Sequence, residues 1–156
     1  MRVFIAGIMQ GSRNDRGIEA QDYRSEIAQI VRQYVPDADV LDPFELYPDS
    51  VNYGPEQARR TFLNLVELAG QADVLIAYVP SASMGTAVEM WSAYQGSVRV
   101  YTISPLADNW VVHSLSERIF PDVAAFAAFV ASGGLRRERS AERLGASEVD
   151  RSVSFG

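Results

Sequence analysis

Apolar residues along this chain fall into short runs separated by longer stretches in which they recur every three or four positions. Arg2 to Gly7 (RVFIAG) reads as a first buried strand, followed by the polar loop QGSRNDRG. Ala20, Tyr23, Ile27, Ile30, Val31 and Tyr34 then mark one stripe of a helix that stops before Pro36. Ala38 to Leu41 is a second strand, and the loop DPFELYPDSVNYGP leads to a helix from Pro55 whose stripe is Ala58, Phe62, Leu65 and Ala69. Asp73 to Val79 is apolar after its first residue, as a central strand covered on both faces requires. After the loop PSASMG the pattern predicts a helix from Thr86 to Gln95 and a fourth strand from Val98 to Ile103. SPLADNWVVHS reads as a loop with a helical turn, Ile119-Phe120 as a short edge strand, and Pro121 as the start of a last helix through Val123, Phe126, Ala127 and Val130. Alternation of this kind predicts an α/β fold: a single-domain, doubly wound, Rossmann-like three-layer sandwich with a mainly parallel five-stranded sheet.

Charge and composition change that picture at one end only. Residues 1–132 hold 9 arginines and 16 acids and form the predicted domain. Residues 133–156 carry five arginines and four acids with few apolar positions, and read as a charged C-terminal tail. The net charge of −6 argues against a nucleic-acid or anionic-membrane surface. The first apolar run is too short for a signal peptide and no stretch spans a bilayer, so the expected compartment is the cytoplasm.

All 14 basic residues are arginine, there is no cysteine, and His113 is the one histidine. Schiff-base chemistry, a Walker-type phosphate loop, thiol nucleophiles and thiolate metal sites are thereby excluded. Carboxylate and hydroxyl chemistry assisted by arginine remains. In doubly wound sheets ligands bind beyond the carboxyl ends of the strands, which directs attention to the loops Gly7–Arg16, Pro80–Gly85 and Ser104–Ser114. The first lacks the G-x-G-x-x-G of dinucleotide sites. Glu89 stands out as a carboxylate among Ala87, Val88, Met90 and Trp91 beside the second loop. Two readings stay open at this level. Thr86-Ala87-Val88-Glu89 fits a capping box, in which the acid only satisfies a backbone N–H; alternatively the helix start keeps Glu89 ionised as a nucleophile.

The stretch ADVLIAYVPSASMGTAVEMWSAY resembles the signature region of the nucleoside 2-deoxyribosyltransferase family, which includes nucleoside 5′-monophosphate N-glycosidases. VFIAG and RIFPDVAAFAAFV resemble its first strand and its closing strand and helix. The resemblance implies that Glu89, in the Gly85-x-x-x-Glu89 helix start, is the nucleophile at the anomeric carbon. It implies further that Ser83 holds sugar or phosphate, and that Gly7 and Gln10 are contacts of the first loop. Ser12 and Arg13 are candidates for phosphate, displaced downstream of the family's Ser and Arg. Where the family carries an aspartate ahead of its A-D strand, this chain offers Asn64, Leu65 and Glu67. A residue from the loop after the fourth strand completes the family's site across a subunit interface, for which Asn109 or His113 would serve. Trp91 and Trp110 read as base-stacking residues or as core or subunit contacts, and Asp73 as a structural acceptor at strand entry. The implied protein is an N-glycosidase or N-glycosyltransferase acting on a nucleoside or nucleotide, with no cofactor or metal, working as a homodimer or higher homo-oligomer with shared sites. The alternatives are a nucleotide-sensing domain without chemistry and a phosphoribohydrolase of the cytokinin-activating type, whose G-G-x-G-T-x-x-E motif GTAVE partly echoes.

Overall fold

The computed structural model describes residues 1–10, 13, 15 and 17–136. Five strands, β1 (Arg2–Gly7), β2 (Asp39–Leu41), β3 (Val74–Tyr78), β4 (Arg99–Ile103) and β5 (Arg118–Phe120), form one sheet in the order β2-β1-β3-β4-β5. Every pairing is parallel; Val3 lies opposite Val40 on one side and Val74 on the other. The predicted α/β doubly wound sandwich is therefore the fold. Strand pleating sends alternate side chains to opposite faces and so builds two cores. Val3, Ile5, Val74, Ile76, Tyr101 and Ile103 face α1 (Asp22–Tyr34) and α6 (Val123–Ala131). Phe4, Ala6, Leu75, Ala77 and Val100 face three further helices, α3 (Pro55–Gly70), α4 (Met84–Gln95) and α5 (Trp110–Leu115).

The element boundaries differ from the sequence reading at a few instructive places. The loop after β2 contains a helical turn, α2 (Pro43–Leu46), because the Asp42 carboxylate accepts the Phe44 N–H at 2.9 Å and proline occupies the first turn. A 3-10 turn follows at Ser50–Asn52. In α3 only Leu65 and Ala69 are buried; Ala58 and Phe62 of the expected stripe are exposed. The last helix is capped by Asp122, which accepts from Ala125 N–H at 2.7 Å, so Pro121 precedes the cap. Beyond residue 132, Gly134–Arg136 forms a 3-10 turn that seats Leu135 in the core on the α1 and α6 face, and Arg136 pairs with Asp37. Residues 137–156, with Arg137 and Arg139 of the tail's basic cluster, lie outside the described residues. Among the described residues no helix is long and apolar enough to cross a membrane.

Sheet order fixes where a ligand can sit. From β1 the chain winds to β2 on one side and then to β3 on the other, and the crevice at that reversal opens beyond the carboxyl ends of β1 and β3. Gly7, Ile8, Tyr78 and the loop into α4 surround it.

Candidate functional site

Glu89 lies on α4, whose start adjoins this crevice, within electrostatic reach of Arg24 and Tyr23. Ser83 is the helix N-cap, its Oγ accepting from Thr86 N–H at 3.4 Å and from Thr86 Oγ1 at 3.0 Å. The helix therefore starts two residues earlier than expected. A capping box built on Ser83 would place its acid at position 86, where threonine stands, so the capping reading of Glu89 falls. Glu89 lies instead in the second turn, where the influence of the helix dipole has faded. It is 7% exposed and accepts no hydrogen bond from any described residue. Burial pushes its pKa from the usual 4.5 up to about 8, and the positive charge of Arg24 holds it below what burial alone would impose. The expectation of a carboxylate kept ionised by the helix start is thus corrected: in the free protein the group is mostly neutral at pH 7.

Arg24 is the residue that the sequence reading missed. It is 2% exposed in the middle of the buried stripe of α1. Its guanidinium donates to Gln21 Oε1 at 2.6 Å, Ile5 O at 2.9 Å, Gly7 O at 3.0 Å and Asp42 Oδ1 at 3.1 Å. One cation thereby ties α1, the end of β1 and the start of α2 together beneath the crevice. A buried charge so completely hydrogen-bonded meets the condition under which burial is tolerated. The guanidinium also lies 5.2 Å from the Tyr23 ring centroid, and the Tyr78 ring stacks on Tyr23 at 4.2 Å. Tyr23 donates its hydroxyl to Ile8 O at 3.0 Å, and burial pushes its pKa far above the usual value. Gly7 is required by this arrangement, since a Cβ there would overlap the Tyr23 hydroxyl and ring. An arginine one position after a stripe residue, four before buried Ala28, was the available signal.

The remaining expected residues divide into three groups. Ser83 and Asn109 line one cavity of about 460 Å³, otherwise mostly apolar, with Val79, Met90, Leu106 and Val112. Asn109 uses its side-chain oxygen to cap α5, accepting from Val111 and Val112 N–H at 3.0 and 3.3 Å. Ser104 ties the rim together by donating to Val79 O at 2.6 Å. Gly85 sits in the first turn of α4, with Phe62 the nearest atom a Cβ would meet, at 3.9 Å.

A second group is committed elsewhere. Asn64 donates to Tyr47 Oη at 2.8 Å, and exposed Glu67 accepts from Gln71 at 3.0 Å. Gln10 is exposed and donates to Asp15 O at 3.4 Å, while Arg13 is held bidentately by Asp15 at 2.9 Å for both bonds. His113 is exposed in the last turn of α5. Ser12 lies outside the described residues. The third group is the two tryptophans, neither of which is core: Trp91 is half-exposed and stacks on Tyr94, and Trp110 is 88% exposed. Asp73 accepts from Arg2 N–H at 2.7 Å, the strand-entry role expected of it.

A second cavity, about 550 Å³, opens between the loop after β1 and the loop after β3. Glu19, Asp22 and Glu26 line it together with Tyr23, Tyr78 and Ser81. Asp22 and Glu26 lie four residues apart in the first turns of α1, and Glu19 comes from the segment just before it, a grouping visible in the sequence but not singled out there. Among the described residues no three histidine, aspartate or glutamate side chains are placed to hold a metal ion.

No family model matches the sequence, and no curated protein does. Among solved structures the chain is similar to the 2-deoxyribosyltransferase from the psychrotolerant bacterium Bacillus psychrosaccharolyticus, at 20% identity over 86% of this chain and 96% of that one, with a TM-score of 0.63. It is also similar to a conserved protein from Enterococcus faecalis V583, at 16% identity over 85% and 98%, TM-score 0.60. An NADH:FMN oxidoreductase is similar at 12% identity over 89% and 90%, TM-score 0.53. These likenesses are of fold. A fold shared by a glycosyl-transferring enzyme and a flavin enzyme leaves the choice of chemistry to the site.

Proposed function

We propose that this chain cleaves or exchanges the N-glycosidic bond of a nucleoside or nucleoside 5′-monophosphate, with Glu89 as nucleophile. The observation that carries this reading is a carboxylate 7% exposed and unbonded to any described residue, on the helix that starts beside the crevice where a doubly wound sheet binds ligands. A carboxylate buried without partners is costly unless it has a task. The sequence resemblance around Gly85-x-x-x-Glu89 supports the same assignment, and so does a fold shared with a 2-deoxyribosyltransferase. Attack of Glu89 on the anomeric carbon gives a glycosyl-enzyme ester, which water or a second base then opens, with retention at that carbon. Arg24 favours the ionised form that attacks.

Ser83 and Asn109, which share a cavity, are the polar groups best placed for the sugar or phosphate end of the substrate. Exposed Met84 and half-exposed Val111 in the lining of that cavity, with exposed Trp110 next to Val111 in α5, support assembly with a second copy. Replacement of Glu89 by Gln should lower base release from a susceptible nucleoside by about 10⁴-fold or more, measured by chromatography of the freed base. Full activity in that variant would sink the reading. Supplying a second free base separates the two outcomes, since only a transferase returns the exchanged nucleoside in quantity.

A further inference from the structure

Among the described residues three charged side chains are buried, Arg24 on α1, Asp42 in the loop after β2 and Glu89 on α4. They come from separate segments, yet all three act electrostatically on the Tyr23 hydroxyl, so they gather around one point at the carboxyl end of β1. One oxygen of Asp42 does two jobs there, accepting from the Arg24 guanidinium at 3.1 Å and from Phe44 N–H at 2.9 Å. Such a buried pair is a poor source of stability, because an apolar side chain on the α1 stripe would pack without the loss of hydration. The third member supplies another reason for its presence. Arg24 and Asp42 together are neutral, so an ionised Glu89 would leave a net negative charge where water barely reaches, and the proton stays on Glu89. The elements packed on α4 bring no second buried cation. Phe4 and Ala6 of β1, Leu75 and Ala77 of β3 and Val100 of β4 are apolar on that side, and Tyr78 of β3 stacks on Tyr23. Glu56, Arg59, Arg60 and Glu67 of α3 and His113 of α5 are all exposed, and α4 carries no charge besides Glu89.

We infer that Arg24 and Asp42 are positioning residues for the nucleophile: Arg24 lets Glu89 give up its proton, and Asp42, which both holds and partly cancels that guanidinium, sets how strongly it does so. The inference rests on the N-glycosidic reading of Glu89 and deepens it. Control of the nucleophile then lies partly in the loop after β2, outside the stretches that resemble the transferase family. Two consequences of opposite sign follow. Neutralising Asp42 leaves the guanidinium uncompensated, so Glu89 ionises more readily and the site works at lower pH. Removing the guanidinium as well takes away the attraction that an ionised Glu89 feels, and the site needs a higher pH.

The test uses the full chain, with the four common 2′-deoxynucleosides and their 5′-monophosphates as probes. Asparagine at position 42 keeps the oxygen that caps α2 and accepts from Arg24, so Asp42→Asn changes charge with little change of shape. Its rising limb of kcat/KM against pH should move down by about half a pH unit, which raises the rate at pH 7 about twofold. Arg24→Met alone would strand a buried carboxylate. The double variant Arg24→Met with Asp42→Asn removes both charges, and its limb should move up by about one pH unit. The titration of Glu89 is also read without substrate, from the fall in Tm with rising pH relative to the matching Glu89→Gln protein in each background. That fall should be complete at lower pH in Asp42→Asn and at higher pH in the double variant. A pair that only holds the fold would lower Tm and activity while the limb and the Tm titration stay where the wild type has them, and that result overturns the inference. Tm titrations that move as expected, without turnover of any probe, would overturn the N-glycosidic reading and leave the control of Glu89 by this pair standing.

Discussion

Glu89 and Arg24 come from helices on opposite faces of the sheet, and each alters what the other can do. The carboxyl of Glu89 has a pKa near 8 in the folded protein against 4.5 for an ordinary glutamate, so the folded state keeps a proton that the unfolded chain gives up. The associated stability is full below about pH 4.5 and declines as pH rises through about 8. Wild-type protein should accordingly lose thermal stability relative to Glu89→Gln between pH 5 and pH 9, as read from paired melting curves. A gap between the two that stays constant with pH would show Glu89 titrating as an ordinary exposed acid. Activity follows the opposite sign: the nucleophile is the ionised form, so kcat/KM should rise toward a plateau above about pH 8. At this scale Glu89 was legible, because a lone acid in an apolar helix is conspicuous in a sequence. Arg24 was not, because nothing local announces that a guanidinium four residues before Ala28 will find four acceptors on three different segments.

Helices α3 and α4 approach each other closely through small residues, which sets how α4 presents Glu89. Ser92 donates to Val66 O at 2.7 Å, and a Cβ at Gly96 would overlap the carbonyl of Gly70. Backbone on both sides of that contact cannot yield as a flexible side chain could. Gly96→Ala should cost about 1–3 kcal/mol, seen as a lower denaturant midpoint with the slope preserved. A midpoint unchanged from wild type would mean that the two helix ends are free to separate. The strands and long helices were legible because alternation and three-to-four spacing reflect burial directly. The turn at Pro43–Leu46 and the start of α4 at Met84 were less so, since both depend on which polar side chain wins a cap, Asp42 in one case and Ser83 in the other.

Taken whole, the molecule leaves Met84 82% exposed beside Trp110, with Trp91, Tyr94 and Val111 about half exposed. Residues of this type gathered on two neighbouring helices are the ground on which assembly with a second copy is proposed. Analytical ultracentrifugation should find a dimer or larger assembly, shifted toward monomer by Trp91→Ser with Trp110→Ser; a monomeric wild-type protein at about 100 µM would remove the shared-site proposal. The sequence by itself determined the doubly wound α/β fold, because the order of buried strands and one-sided helices leaves few topologies that cover a parallel sheet. It also determined the inventory of chemistry, through the absence of lysine and cysteine and the single histidine. Only the tertiary structure decided which groups are free to act. Hydrogen bonding committed Asn64, Glu67 and Arg13 to neighbours close by in the fold, while burial left Glu89 unpaired and raised its pKa. Glu67 and Arg13 are held by neighbours four and two residues away, but the Asn64–Tyr47 bond and the burial of Glu89 arise from contacts between segments distant in the chain, which local spacing does not encode.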